Sequence, residues 1–275
     1  MIKLRLGLLL LSCLVLAVVI GPLFAQFDTE TIYWDFMASA PDETYWFGTD
    51  VMGRDLYIRT LKGGQVSLLV GLLATVVSVV LGVVYGMVAG MAGGRIDAAM
   101  MRLVDVFYAL PFLFLVILLL VFFGQHIWLL FTAIGCYLWL DMARIVRGQT
   151  LVLKEQAFVE SARSIGQSTR LIVLKHILPN LIGVVVVYAT LIVPQVIMIE
   201  SFLSFLGLGI QEPMTSWGSL VNEGASYMEL APWSLWFPAL FLSLTLVGFN
   251  LLGDGLRDRW DPQMQNQPTR KSQTQ

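Results

Sequence analysis

The chain has 275 residues, of which 57% are hydrophobic and 13% are charged, and its formal net charge is −2. Soluble domains carry about 25% charged residues, so this composition excludes a water-soluble fold and indicates a polytopic membrane protein. Cys13 and Cys136 are too few for a disulfide framework, and both lie in apolar runs.

Six continuous apolar runs are long enough to cross a bilayer, which takes about 20 mostly apolar residues. They predict an all-α fold with membrane helices over Leu6–Phe24, Ser67–Met91, Val104–Phe123, Ile127–Ile145, Leu181–Ile199 and Leu235–Leu252. The first run is longer than the roughly 7–15 apolar residues of a signal peptide, and no convincing cleavage site follows it. We therefore predict that it is an uncleaved anchor.

Positive charge is distributed unevenly between the two sides of the predicted bundle. Of 17 Lys and Arg residues, only Arg54, Arg59 and Lys62 lie on the side opposite the N-terminus. Because cytoplasmic loops are rich in Lys and Arg, we predict that both termini are cytoplasmic, on what is called the inner side below. Residues 1–262 are predicted to form one membrane domain, followed by a polar, disordered cytoplasmic tail at 263–275.

Three long segments connect the predicted spans. The outer loop covers residues 25–66 and the outer segment covers residues 200–234, both on the side opposite the termini. The inner segment, residues 148–180, includes the polar stretch EQAFVESARSIGQSTRLIVLKHILPN at 155–180. A polar stretch of this length between apolar runs predicts a surface that meets water, lipid headgroups or another protein.

The inner segment reads as two short helices around a glycine turn. Gly166 can take the left-handed conformation that ends a helix, Ser168 can cap a second helix, and Pro179 lies where that helix must stop or turn into the fifth span. Each helix carries an apolar stripe. The stripes are Phe158, Ala162 and Ile165, and then Leu171, Leu174 and Leu178.

Two interpretations of this segment stay open on the pattern alone. An amphipathic helix at the lipid interface would place its cations toward headgroups. The small side chains Ala157, Ser161, Ala162 and Ser164 instead favour close approach by a protein partner.

The same stretch resembles the EAA loop of ABC importer permeases. The family pattern places E-A-A before a glycine and a terminal I-x-L-P, and here it reads Glu160-Ser161-Ala162, Gly166 and His176-Ile177-Leu178-Pro179. Ser161 and His176 depart from the general pattern, and the ending His-Ile-Leu-Pro-Asn is similar to the peptide/nickel subfamily. Residues 47–71 and 200–225 also resemble that subfamily, closest to the C-type membrane subunits of oligopeptide transporters.

The resemblance implies the type I permease fold and a role in ATP-driven import of peptides, with oligopeptides as the expected cargo. It implies that the EAA loop is a coupling helix, in which Gly166 makes the turn, Ala162 allows close approach and Glu160 pairs with an ATPase subunit. Implied partners are a second homologous permease subunit, one or two ABC ATPase subunits and an extracytoplasmic binding protein, in the lipid of the bacterial inner membrane. ATP and Mg²⁺ would be used by the ATPase subunits, since this chain has no GxxxxGK[ST] motif and is not expected to be an enzyme or to bind a cofactor or nucleic acid.

Several further features have structural interpretations. Gly82, Gly86, Gly90 and Gly94 recur every four residues, a spacing that predicts close helix packing, within this chain or against the second permease. Asp141 and Arg144 can pair as i, i+3 neighbours. Two interpretations of Glu200 stay open: an acidic group that faces a vestibule and meets a peptide amine, and a solvated span end, which is favoured. No residue of a substrate pathway is predicted.

Functions of other classes would need features that this sequence does not show. Neither His126 nor His176 has a second metal ligand at suitable spacing, so no metal site is predicted. A membrane enzyme would need a catalytic dyad, and an ion-coupled secondary transporter would need mid-span acids or paired broken helices. Within the family, dipeptides, nickel chelates, glutathione and antimicrobial peptides remain alternative cargos.

Overall fold

The computed structural model describes residues 2–124 and 126–260, and these residues fold as helices joined by turns and loops, which confirms the all-α prediction. The predicted tail at 263–275 lies outside the described residues. The α-helices are α1 Ile2–Ile20, α2 Leu56–Ala92, α3 Gly94–Ala109, α4 Phe112–Phe123, α5 Ile127–Lys154, α6 Ala157–Ser164, α7 Thr169–Ile172, α8 Leu178–Phe205, α9 Trp217–Ser226 and α10 Trp233–Trp260.

Five apolar stretches of the described chain are long enough to cross a bilayer, and α3 and α4 together form a sixth, bent one. The ends of the bundle show that this bent pair counts as a crossing. Lys3 Nζ, near the start of α1, lies 3.8 Å from Asp258 Oδ2, near the end of α10. Termini on the same side require an even number of crossings, as the six predicted spans do.

The third predicted span, Val104–Phe123, is wrong as a continuous helix. The chain bends by 79° between α3 and α4. Leu110 has an extended backbone at the break and Pro111 follows it, as expected because proline disfavours the helical conformation in the residue before it. The 12 residues of α4 rise only about 18 Å at 1.5 Å per residue, so α3 supplies the rest of the crossing.

The second span begins earlier than its apolar run suggested, at Leu56 instead of Ser67. Asp55 caps this end, since its side chain accepts a hydrogen bond from the backbone N–H of Tyr57 at 2.8 Å. The last part of the predicted outer loop, residues 56–66, is therefore helical, and Arg54 and Arg59 lie close to the start of α2.

Helices α2 and α5 share the most extensive helix–helix contact among the described residues, and three of the predicted glycines lie in it. A Cβ atom built on Gly82 would lie 2.5 Å from Met142 Cβ, and one on Gly90 would lie 2.6 Å from Thr150 Cβ. Between them, a Cβ on Gly86 would lie 2.9 Å from the backbone nitrogen of Arg147. The row therefore packs within this chain, whereas Gly94, with no atom within 4 Å of an added Cβ, is not part of the contact.

Charged pairs fasten α3 to the inner half of α5. Arg147 donates to Asp97 from Nε at 2.5 Å and from Nη2 at 2.7 Å. The predicted Asp141–Arg144 pair is wrong: Arg144 Nη2 lies 2.6 Å from Asp105 Oδ1 instead, and Asp141 accepts from the hydroxyl of Tyr108. Both partners lie on α3, because the bend at Pro111 brings that helix alongside α5.

Replacing Gly86 with leucine should destabilise the bundle, because its side chain would enter the backbone of α5. Overpacking of this kind costs about 1–3 kcal/mol. Gly148→Leu is the matched control, since a Cβ there meets nothing within 4 Å. The apparent unfolding midpoint in detergent micelles should fall for Gly86→Leu and stay near the parent value for Gly148→Leu; equal midpoints would contradict the packing described.

Candidate functional site

The inner segment contains the predicted helix–glycine–helix arrangement. Helix α6 ends at Ser164, and Gly166 follows with φ of +79°. The backbone N–H of Gly166 donates to Arg163 O at 2.9 Å, and that of Gln167 donates to Ala162 O at 3.1 Å. These two bonds form a Schellman motif, which needs a left-handed residue at the glycine position. The predicted conformation of Gly166 is confirmed.

The second half of the segment differs from a short helix that stops at proline. Helix α7 passes through a π-turn at Val173–Ile177 directly into α8, so that Thr169–Phe205 forms one continuous helical run. Pro179 lacks the N–H that would bond to the carbonyl of Lys175, and π-turns accommodate such interruptions. The side chain of Ser168 makes no capping hydrogen bond, so the predicted cap is wrong.

The buried face of the inner segment is not the predicted stripe. Val159, Ile172 and Ile177 are buried, and Ala162 joins them with 4% of its surface exposed. Helix α6 turns the i, i+3 pair Val159 and Ala162 inward, because these side chains fill the space against α7 and the π-turn. Ala162 therefore packs within this chain and does not present itself to a partner.

Most of the predicted stripes face outward instead. Ile165 is 74% exposed and Leu174 is 62% exposed, and Phe158 and Leu171 are also exposed. The motif residues Glu160, Ser161 and Pro179 are exposed as well. His176 is half-buried and lies across the turn, with Nε2 at 3.2 Å from Gln167 Oε1. The segment thus offers apolar side chains and a carboxylate on one short, internally packed unit.

The unit is attached rigidly to the membrane helices. It joins α5 at Lys154, whose Nζ donates to Gly90 O at 3.0 Å at the inner end of α2. It joins α8 without a break, through the π-turn. The inner segment is thus connected directly to α5 at one end and to α8 at the other.

On the outer side, a cluster of five charged residues joins the outer loop to the outer segment; we call it the outer ion cluster. Its members are Asp50, Arg54, Arg59, Glu212 and Glu223. Arg54 reaches all three carboxylates, with Nε 2.7 Å from Asp50, Nη1 2.8 Å from Glu212 and Nη2 2.9 Å from Glu223. Arg59 bonds Glu223 with two nitrogens, at 3.0 and 2.9 Å, and also contacts Asp50.

The two arginine side chains are only 9% and 4% exposed, so the carboxylates must compensate their lost hydration. Asp50 Oδ1 is held in place in turn by the backbone N–H groups of Met52, at 2.8 Å, and Arg54, at 3.0 Å. Sequence reasoning did not identify this cluster. Its signal was the placement of Asp50, Arg54 and Arg59 at spacings of four and five in a region with only one other cation.

The cluster shifts the pKa values of its members. Burial alone would lower the pKa of Arg54, but hydrogen bonds and charge from Glu212, Asp50 and Glu223 outweigh it and raise the pKa. The hydrogen bond from Arg54 lowers the pKa of Glu212, against a smaller opposing effect of burial. Both shifts favour the charged forms, the guanidinium of Arg54 and the carboxylate of Glu212.

Glu200 is not the solvated span end that the sequence suggested. Its side chain is fully buried at the outer end of α8, and Ser204 Oγ donates to its Oε1 at 2.7 Å. A separate cavity of about 280 Å³ opens between the first residues of α5 and residues 208–214. His126, Trp128 and Glu212 contribute its polar and aromatic lining.

Comparison with known proteins places these features in a family context. The sequence model described as "Binding-protein-dependent transport system inner membrane component" matches residues 82–266. The chain is 56% identical over 258 residues to the oligopeptide transport system permease protein OppC of Escherichia coli (strain K12), covering 93% of this chain and 85% of that protein.

Two further relatives carry other names. The dipeptide transport system permease protein DppC of Bacillus subtilis (strain 168) is 44% identical over 259 residues, covering 94% of this chain and 81% of the relative. The glutathione transport system permease protein GsiD of Shigella flexneri serotype 5b (strain 8401) is 44% identical over 252 residues, covering 91% and 83%.

Removing Arg59 should destabilise the outer side strongly, because Arg59→Leu leaves Asp50 and Glu223 short of a buried cation. Breaking a buried pair in this way costs about 3–5 kcal/mol. The control is Lys62→Leu, an exposed cation on the same helix, which should change stability by about 0.5 kcal/mol or less. Unfolding in mixed micelles measures the free energy of unfolding of both variants. A loss for Arg59→Leu as small as that for Lys62→Leu would show that the buried ion pairs do not stabilise the outer side.

Acidification should weaken the cluster. Because the folded pKa of Glu212 is lowered, its contribution is fully present above the ordinary glutamate value of about 4.3 and is lost as the pH falls through the lowered value. The unfolding midpoint of the parent protein should therefore decrease when the pH is lowered below about 4. The variant Glu212→Gln should show a smaller fall over that interval, and an identical pH profile would count against the pairing.

Proposed function

Because the chain belongs to the binding-protein-dependent transport system inner membrane component family, and so is a multi-pass protein of the bacterial inner membrane, we propose that it is the permease subunit of an ATP-driven ABC importer of oligopeptides. The observation that carries the cargo assignment is the 56% identity to an oligopeptide permease across 93% of the chain. Dipeptide and glutathione permeases at 44% identity make those cargos the alternatives.

Coupling to ATP hydrolysis is assigned to the inner segment. Its exposed side chains Phe158, Ile165 and Leu174, beside Glu160, suit a groove in a protein partner better than water. The ATPase subunits bind ATP and Mg²⁺, and this chain supplies the contact surface. Docking moves the inner segment, which carries α5 and α8 with it and so changes which side of the membrane the pathway faces.

The remaining partners occupy other surfaces. A second, homologous permease subunit completes the pathway in the bilayer. An extracytoplasmic binding protein delivers the peptide to the outer loop and outer segment, which the outer ion cluster holds together as one surface.

Peptide uptake tests the proposed function directly. In cells lacking the chromosomal copy, the plasmid-borne chain should restore uptake of a radiolabelled alanine tripeptide. Uptake should stop when ATP is depleted and continue when an uncoupler removes the proton gradient but ATP is maintained. The opposite pattern would indicate an ion-coupled secondary transporter. If unlabelled dialanine or glutathione inhibits this uptake more strongly than the unlabelled tripeptide does, the stronger inhibitor represents the class of cargo.

The turn at Gly166 provides a test of coupling that separates conformation from bulk. A Cβ at this position meets no atom within 4 Å, so only the positive φ opposes substitution. Asparagine tolerates this conformation and β-branched residues do not. Gly166→Asn should keep near-normal uptake, whereas Gly166→Val should lower it at least tenfold at equal amounts in the membrane. Equal uptake by the two variants would show that the turn does not serve coupling.

A further inference from the structure

Glu200 is a buried carboxyl group for which neither the fold nor the family assignment gives a role. It has no exposed surface, and no Lys, Arg or His of the described chain lies within ion-pair distance of it. Serine hydroxyls surround it instead. Ser204 Oγ donates to Oε1 at 2.7 Å, and Ser67 Oγ, from α2, donates to Oε2 at 3.3 Å.

Each serine also holds a backbone N–H of the outer segment. Ser67 Oγ accepts from the N–H of Trp217 at 3.1 Å, and Ser204 Oγ accepts from the N–H of Ile210 at 3.4 Å. A serine hydroxyl has one hydrogen and two lone pairs. Because each hydroxyl donates its hydrogen to Glu200, its lone pairs face the outer segment. Glu200 thus orients both hydroxyls as acceptors for that segment.

We propose that Glu200 is a positioning residue that sets the place of residues 210–217 through these two serines. This stretch carries Glu212 of the outer ion cluster and lines the outer cavity. Its two ends, at Ile210 and Trp217, are the backbone positions that the serines hold. Glu200 therefore determines the shape of the wall that a peptide meets on the outer side, although it touches no peptide itself.

The surrounding packing explains why the hydrogen bonds decide the position. Trp217 is fully buried, and its Nε1 donates to Thr60 O at 2.9 Å. A Cβ on Gly64 would lie 2.5 Å from the Trp217 ring, and a Cβ on Gly209 would clash with the Ser204 side chain. The outer segment thus lies against α2 and α8 at van der Waals distance. A serine hydroxyl whose hydrogen pointed toward this segment would face a backbone N–H, and the two hydrogens would repel each other.

The same residue connects the outer wall to the coupling end of the protein. Glu200 lies near the outer end of the helical run Thr169–Phe205, whose inner end is part of the inner segment. As long as the serines are oriented, residues 210–217 are attached to α8 through Ser204 and to α2 through Ser67. The consequence for transport rests on the proposed function, whereas the local structural consequence does not.

Thiol accessibility tests the local consequence. The full-length chain, with Cys13 and Cys136 replaced by alanine, receives a single cysteine at Met214, which is exposed in the held stretch. Labelling of intact cells or spheroplasts with an impermeant maleimide should be at least fivefold faster with Glu200→Leu than without it. Trp46→Cys, in the outer loop, is the control position whose rate should not change.

The serine relay predicts a specific pattern among variants. Ser67→Ala with Ser204→Ala should accelerate labelling as much as Glu200→Leu, and adding Glu200→Leu to that pair should have no further effect. Glu200→Gln, whose amide oxygen can orient only one serine, should give an intermediate labelling rate. If Glu200→Leu fails to insert into the membrane, Glu200→Gln and the serine variants still test the role of Glu200. Additive effects, or parent rates in Glu200→Gln and the serine pair, would overturn the proposal.

Alanine tripeptide uptake supplies the transport readout. The maximal rate should fall in the same order as labelling rises, with equal amounts of chain in the membrane. If the parent chain takes up no tripeptide, the proposed function fails, while the labelling pattern still decides the role of Glu200. If labelling follows the predicted order but uptake stays at the parent rate in every variant, Glu200 does not position the peptide-facing wall and the proposal is wrong.

Discussion

Helices α2 and α5 can lie against each other only because three glycines, one helical turn apart, leave the facing backbone uncovered. A side chain at Gly82, Gly86 or Gly90 would enter α5 itself. Much of the rest depends on this contact. Helix α5 leads directly into the inner segment, and α2 begins beside the outer ion cluster. In lipid, where apolar side chains gain little from leaving the solvent, such close backbone approach is a principal source of helix association.

Around this pair, the two sides of the membrane are connected by different kinds of interaction. On the outer side, buried arginines and serine-held backbone groups unite the outer loop, the outer segment and the end of α8. On the inner side, the inner segment is held by apolar packing and a Schellman turn, and apolar side chains such as Ile165 and Leu174 stay exposed on it. The helical run Thr169–Phe205 joins the two. A rigid element with a contact surface at each end is suited to transmit movement across a bilayer.

The sequence predicted much of this arrangement and missed parts of it for physical reasons. Apolar runs and the turn at Gly166 depend on local chemistry, so they were found. The bend at Pro111, the pairing of Arg144 with Asp105 and the burial of Glu200 depend on which helices become neighbours, and one sequence does not contain that information. The resemblance implied that Ala162 allows close approach by a partner, but this side chain packs inward, because the buried face of α6 depends on its contacts with α7 and the π-turn and not on the α6 sequence alone.

We expect the exposed side chains of the inner segment to contact an ATPase. A photo-cross-linking amino acid at Ile165, 74% exposed, tests it in cells, with Val121, 75% exposed on α4, as the comparison position. After irradiation, mass spectrometry should identify a P-loop ATPase attached at position 165 and not at position 121. Attachment to lipid alone at position 165 would contradict the claim and would show that the segment lies on the membrane surface instead.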